Sequence, residues 1–89
     1  MEKPYSTEIE NLEDLNKFLG KEIGISEWFE MSQDKVNSFA ELTQDKQWIH
    51  IDKEKAAKYS PYKKTIAHGF HVLSYASQVV FQTLKLNNI

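Results

Sequence analysis

Two blocks decide the fold class of this 89-residue chain: Thr43-Gln44-Asp45-Lys46-Gln47-Trp48-Ile49-His50-Ile51-Asp52 and Thr65-Ile66-Ala67-His68-Gly69-Phe70-His71-Val72-Leu73-Ser74. The first block sets a carboxylate, Asp45, and an imidazole, His50, five residues apart in a predicted loop over residues 43–51. The second sets Gly69 at the start of an apolar stretch with helical spacing. An acid, a base and the N–H groups of a helix start are what acid–base chemistry at a polarised double bond requires.

The composition restricts the class of protein. A chain of this length forms one small domain at most. The net charge of −2 gives no general attraction to nucleic acid or anionic membranes, and all eleven basic residues are lysine rather than arginine. The absence of cysteine excludes a disulfide framework and a thiol nucleophile. No signal peptide or membrane span is evident, so we expect a soluble cytoplasmic protein that binds neither nucleic acid nor membrane.

Hydrophobic periodicity and capping residues predict a mostly helical chain with little strand. The strand candidate covers residues 22–31, and residues 1–8 are expected to be loose. Helices are predicted at about 9–19, ending at Gly20; at 33–42, capped by Ser32; at 53–58, capped by Asp52; and at about 68–85. The last of these carries the clearest apolar stripe, and we expect three of its residues to face the interior: Val72, Ala76 and Val79.

The two blocks resemble those of the MaoC-like (R)-specific enoyl-CoA hydratase/dehydratase family, and its NodN-like branch most closely. Members of that branch carry Thr-Gly-Asp-x-Gln-Trp-Ile-His-x-Asp, followed by Ile-Ala-His-Gly-Phe. The resemblance covers roughly residues 20–80 of this chain. Gln44 departs from the pattern, because glycine is usual there, and Gln47-Trp48 follows the NodN-like branch where many hydratases have Asn-Pro.

The resemblance implies an α+β fold, the N-terminal portion of a hot-dog fold, in which a long antiparallel sheet wraps a central helix. That helix corresponds to about 68–85, and few strands are expected because the family's chain continues well past residue 89. Residues 1–89 are therefore expected to form a single partial domain. Subunits of this family join their sheets, so we expect a homodimer or higher oligomer, with part of the valine stripe exposed.

The resemblance also implies a chemistry, the addition of water to a trans-2-enoyl-CoA thioester by a lyase of fatty acid metabolism. Asp45 and His50 would hold the water, with Asp45 accepting a proton and His50 orienting the water and helping to protonate the α-carbon. The Gly69 amide would bind the thioester oxygen. Substrate-binding positions would be Trp48, His68 and Ser74. No cofactor and no metal are expected.

A plainer interpretation stays open for each of these residues. Trp48 is equally compatible with packing alone, and His68 with packing and hydrogen bonding at the start of its helix. Asp45 and His50 are also compatible with an ordinary polar loop, and Gly69 with a simple turn into a helix. A Ser74 hydroxyl on a helix most often bonds back to the helix itself. The lysines crowded into residues 53–64 form either a solvated face or an attraction for the phosphates of coenzyme A. The rival function for the whole chain is a non-catalytic remnant that serves as a dimerisation or binding module.

Overall fold

The computed structural model describes residues 2–87 of the chain. By its internal contacts the chain divides into two compact units. One unit holds the residues up to Trp28 together with those from Tyr75 onward, and the other is Phe29–Ser74. Both blocks singled out in the sequence lie in the second unit.

The first unit is built on a short parallel sheet. Strand β1 (Thr7–Ile9) pairs with strand β2 (Leu84–Leu86), with Thr7 opposite Leu84 and the Ile9 side chain buried. A 3₁₀ helix (Leu12–Phe18) follows β1, and helix α5 (Ala76–Thr83) leads directly into β2. The two strands are therefore supplied by opposite ends of the sequence.

Gly24 packs directly against the end of α5. A Cβ placed on Gly24 would lie 2.6 Å from the Cβ of Thr83 and 2.7 Å from the carbonyl oxygen of Tyr5. Real Cβ atoms do not approach other atoms this closely, so the position accepts only glycine. The neighbouring Ile25 forms an antiparallel bridge with Tyr5, which fixes the backbone on that side of Gly24.

The second unit consists of four short helices, two of which begin at polar caps. The Ser32 side chain accepts a hydrogen bond from the Lys35 amide, and the Asp52 side chain accepts one from the Lys55 amide, as the sequence predicts. The helices are α1 (Gln33–Thr43), α2 (Trp48–Ile51), α3 (Lys53–Tyr59) and α4 (Gly69–Ser74).

Helix α1 ends at a residue with left-handed backbone geometry. Gln44 has φ 64° and ψ 17°, and its side-chain amide donates to the carbonyl of Glu41 at 2.7 Å. A left-handed residue after a helix is usually glycine, because a Cβ raises its energy. The geometry thus explains why glycine is usual here in the resembled family and why Gln44 carries strain that the family avoids.

The buried side chains of the second unit are polar as often as apolar. Val36, Ala40 and Ala56 supply its apolar core. Its other buried side chains are His50, Ser60, His68 and His71. Buried polar groups require hydrogen-bond partners, and the hydrogen bonds of His50, Ser60 and His68 help to fix this core.

The predicted α+β class with few strands is confirmed, but the single helix over 68–85 is wrong. The structure has α4 and α5 separated at Tyr75, and residues 84–86 are a strand. The Ser74 hydroxyl donates to the His71 carbonyl at 2.6 Å and so competes for the acceptor that the next turn of helix would use. The expected interior face is also wrong in part, because Val72 and Ala76 are exposed and Val79 is only half-buried.

Three other local predictions need correction. The strand expected over residues 22–31 is reduced to the bridge at Ile25. The helix expected over 9–19 is a 3₁₀ helix that begins only at Leu12, because Ile9 belongs to β1. The loop expected over 43–51 contains α2, so His50 lies on a helix. Among residues 2–87, none of the helices is both long enough and apolar enough to cross a membrane.

Candidate functional site

Asp45 stands immediately after the left-handed turn at Gln44, and hydrogen bonds hold its backbone from both sides. Its amide donates to the Thr43 hydroxyl at 3.4 Å, and that hydroxyl itself donates to the Phe39 carbonyl. Its carbonyl oxygen lies 2.9 Å from Nε2 of His68. The Asp45 residue is half-buried, so its carboxylate extends from a fixed peptide and remains accessible to solvent.

His50 is buried on α2, and one of its ring nitrogens is committed to the backbone. Nδ1 lies 2.8 Å from the carbonyl oxygen of Ile66. A carbonyl only accepts, so Nδ1 carries the hydrogen, and in the neutral ring Nε2 presents a lone pair. The Ile66 amide donates back to the Ile49 carbonyl at 3.0 Å, which ties the two blocks together through main-chain groups.

The Gln33 side chain links the segments that hold His50 and Thr65, and no sequence motif pointed to this role. Its side-chain amide donates to the His50 carbonyl at 2.8 Å, and its side-chain oxygen accepts from the Thr65 hydroxyl at 2.7 Å. One glutamine therefore joins α1, α2 and the segment before α4. A polar residue at the start of a predicted helix gives no signal of such a role, since its partners lie 17 and 32 residues away.

His68 brings the two halves of the candidate site together. It is only 2% exposed, and its Nε2 donates to the Asp45 carbonyl. Its ring stacks on that of His50, with centroids 3.7 Å apart and planes inclined by 22°. Phe39 packs against the His68 ring at 4.9 Å. Within residues 2–87, no hydrogen-bond partner reaches Nδ1 of His68.

His71 extends the row of stacked rings beyond Phe39. Its ring lies 4.7 Å from that of Phe39, nearly parallel at 5°. Burial lowers the pKa of His71, and electrostatic repulsion between its charged form and the neighbouring His68 and Lys35 side chains lowers it further. The environment therefore favours the neutral imidazole at this position.

Three side chains lie close enough together to offer ligand atoms to one cation, but the geometry of the two histidine rings does not suit a bound metal. Asp45, His50 and His68 each place one such atom within 4.8 Å of the others. Zinc lies in the plane of each bound imidazole at about 2.0–2.1 Å from nitrogen. Two rings stacked at 3.7 Å cannot both satisfy this unless one turns away from its carbonyl partner. The observed hydrogen bonds and stacking are therefore incompatible with joint coordination of one zinc ion by His50 and His68 as the rings now lie.

The remaining predicted positions surround this group. Gly69 is exposed, and a Cβ on it would meet no atom within 4 Å. The bonds from the His71 and Val72 amides to the His68 carbonyl open α4, so the Gly69 amide precedes the helix's own hydrogen bonds. Trp48 begins α2, is half-buried and lies under the Lys55 ammonium, which is 5.2 Å from its ring centroid.

Comparison with known proteins gives a consistent result. Residues 14–89 match the family model described as a MaoC like domain. The chain is 39% identical over 80 residues to 3-hydroxyacyl-thioester dehydratase Z of Mycobacterium tuberculosis, which covers 90% of this chain and 52% of that protein. It is 41% identical over 85 residues to Nodulation protein N of Rhizobium leguminosarum bv. viciae, with 86% and 53% covered.

The chain spans about half the length of these curated relatives. The matched region includes both blocks, and its α+β structure is that of a partial hot-dog fold. Because the family model covers most of the sequence, the chain belongs to the MaoC-like dehydratase family.

Proposed function

We propose that this chain carries the catalytic pair of a hydro-lyase that adds water to a trans-2-enoyl-CoA thioester, or removes it from the (R)-3-hydroxyacyl product. One observation carries the proposal. The Ile66 carbonyl holds His50 in the tautomer whose free lone pair is on Nε2, and a carboxylate oxygen of Asp45 lies within 4.8 Å of a ring nitrogen of His50. A relative named as a 3-hydroxyacyl-thioester dehydratase supports this class of reaction.

The separation suits one shared water molecule. If both contacts are hydrogen bonds of about 2.8 Å, atoms up to 4.8 Å apart subtend an angle of up to about 120° at the water oxygen. Asp45 and the Nε2 lone pair of His50 both accept hydrogen bonds. The water therefore donates one hydrogen to each and turns an oxygen lone pair outward, toward the β-carbon of a bound enoyl group.

Proton transfer follows from this geometry. As the water oxygen bonds to the β-carbon, Asp45 accepts one of its protons, and His50 keeps the water oriented through the other. The electron pair of the double bond moves toward the thioester carbonyl, and a proton returned through the pair to the α-carbon completes the addition. Dehydration is the same sequence reversed, so the same two side chains serve both directions.

Gly69 is the proposed donor to the thioester oxygen. Its amide stands ahead of the first hydrogen bonds of α4, and the empty space at its Cβ position leaves room for a substrate. A single preorganised donor to an oxyanion contributes about 3–4 kcal/mol in other enzymes.

The coenzyme A portion is proposed to lie along α3. The segment 53–64 holds five lysines and one glutamate, all exposed, in a chain whose net charge is −2. Lysines serve as point charges for phosphates, and Trp48 beneath Lys55 offers an aromatic face beside the catalytic pair. Ser74, whose hydroxyl bonds back to His71 here, would have to exchange that bond to contact substrate.

Activity is tested with a chimera, because the chain spans about half of its relatives' length. The rest of the mycobacterial relative is joined after residue 89, and crotonyl-CoA hydration is followed without added metal or cofactor. We expect the (R)-3-hydroxy product, and a rate reduced about 10²–10⁴-fold by Asp45→Asn and by His50→Gln. Equal rates with and without these two side chains would reject their assigned roles.

A dimerisation module is the second candidate function. The exposed fractions of Phe70, Val72 and Leu73 on α4 are 79%, 55% and 64%, and exposed apolar side chains concentrated on one short helix favour association. We propose that the chain forms a homodimer or higher oligomer. Light scattering on the 89-residue chain at high micromolar concentration checks this, and a monomer of 10.4 kDa would contradict it.

A further inference from the structure

We infer that His68 is a positioning residue that fixes both members of the catalytic pair at once. Its ring donates to the Asp45 carbonyl through Nε2 at 2.9 Å and supports the His50 ring by stacking at 3.7 Å. The two functions use different parts of one imidazole, an edge for Asp45 and a face for His50. The inference rests on the proposed function in that it assigns Asp45 and His50 to the reaction.

The burial of His68 and the neighbours that cover its ring argue for positioning rather than substrate contact. His68 is 2% exposed, whereas His50 is 9% exposed, Asp45 is half-buried and Gly69 is exposed. One face of the His68 ring meets His50, and Phe39 packs against the ring at an angle of 56°. A substrate that contacted this ring would have to displace one of these neighbours. His68 therefore acts through the two side chains it supports.

The hydrogen bond from His68 to the Asp45 carbonyl matters because the backbone just before Asp45 is strained. Gln44 is in the left-handed region, a conformation that costs a non-glycine residue about 1–2 kcal/mol. The Thr43 hydroxyl holds the Asp45 amide through a long bond of 3.4 Å, so the shorter bond from His68 to the carbonyl is the stronger restraint. Without it, the strained turn has less to keep the carboxylate facing His50.

Two substitutions of His68 test its two contacts separately, the hydrogen bond to Asp45 and the stacking on His50. In His68→Gln, the side-chain amide nitrogen overlays Nε2 and keeps a donor for Asp45, but the ring face is lost. In His68→Phe, the ring face remains for His50, but the donor is lost. His71→Gln is the matched control, because it is a buried histidine on the same short helix that stacks on Phe39.

The first measurement is NMR of the unaltered 89-residue chain, which does not depend on activity or on any variant. We expect His50 in a single tautomer with hydrogen on Nδ1, His68 with hydrogen on Nε2, and His50 ring protons shifted upfield by the stacked neighbour. In His68→Gln the His50 shift should vanish while the Asp45 environment persists, and His68→Phe should give the opposite pattern. Unstacked rings in the unaltered chain, or unchanged His50 and Asp45 signals in both variants, would overturn the inference.

The second measurement is the rate of the active chimera. A misplaced catalytic group costs up to about 100-fold, so each His68 variant should lower kcat by about 10–100-fold with KM changed less than about twofold. His71→Gln should retain full kcat. A raised KM with unchanged kcat would identify His68 as a substrate contact instead. If the unaltered chimera were inactive, the proposed function would fail, whereas the NMR measurement would still decide the positioning role.

Discussion

The left-handed turn at Gln44 makes a quantitative prediction about the approach to the candidate site. Gln44→Gly should be more stable than Gln44→Ala. A left-handed non-glycine residue costs about 1–2 kcal/mol, and the extra unfolded-state entropy of glycine offsets about 0.4–1 kcal/mol of that gain. The glycine variant should therefore exceed the alanine variant by about 1 kcal/mol. Its advantage over the natural glutamine is smaller, because Gln44 donates to the Glu41 carbonyl.

Ser38 provides the matched control, because it is exposed in the middle of α1. Alanine is favoured over glycine by about 1 kcal/mol in a helix interior, so the preference between Ser38→Gly and Ser38→Ala should be reversed. Thermal and urea unfolding of the four variants measure this, and 1 kcal/mol corresponds to about 4–8 °C in Tm at this size. If alanine were equal to glycine at both positions, or better at residue 44, the left-handed assignment would be wrong.

Three further predictions test other parts of the account. Gly24→Ala should cost about 1–3 kcal/mol, since its Cβ would lie within 3 Å of three atoms, whereas Gly69→Ala should keep the stability and lose activity. Equal stability of the two variants would contradict the packing at residue 24. The lowered pKa of His71 means that the unfolded chain binds the proton more tightly. Stability should therefore be complete above about pH 6.5 and decline as the pH falls toward the folded pKa, and His71→Gln should reduce that decline in Tm. Replacing three lysines of α3 by glutamine should raise KM for crotonyl-CoA about tenfold and leave KM for the pantetheine thioester unchanged; a rise for both would place the phosphates elsewhere. The lysines are Lys53, Lys55 and Lys58.

The parts of the fold that follow local rules were predictable from the sequence. Ser32 and Asp52 cap helices because a short polar side chain reaches an amide two or three residues ahead. Gly20 has φ 74°, as a glycine that closes a helical run should. Each of these features depends on only a few neighbouring residues.

The parts that depend on distant residues were not predictable. Ile9 fits a helical stripe, but it pairs with Leu86, and no local pattern identifies a partner so far along the chain. The back-bond of the Ser74 hydroxyl was anticipated, but such a bond is common within unbroken helices and so gave no sign of the interruption at Tyr75. Periodicity also shows which residues share a face, but not which face is buried, so the outward position of Val72 was missed.

In the candidate site, too, residue types and spacings were predictable from the sequence, whereas contacts between distant segments were not. The motif identifies Asp45, His50 and Gly69 by residue type and spacing. The hydrogen bond that fixes the His50 tautomer comes from the backbone carbonyl of Ile66, and every residue has such a carbonyl. The stacking of His68 on His50 likewise depends on the distance between two segments, which sequence spacing does not reveal.

Asp45 and His50 are proposed to act as a unit on one water molecule, and a double-mutant cycle on the hydration rate tests this cooperation. In the active chimera, kcat is measured for Asp45→Asn, His50→Gln and the double variant, with folding checked by circular dichroism. Residues that act as a unit lose their effect together. If the two side chains share one water, the double variant should be no slower than about the slower single variant. A double variant slowed by the product of the two single effects would show that the side chains act independently and would contradict the shared water.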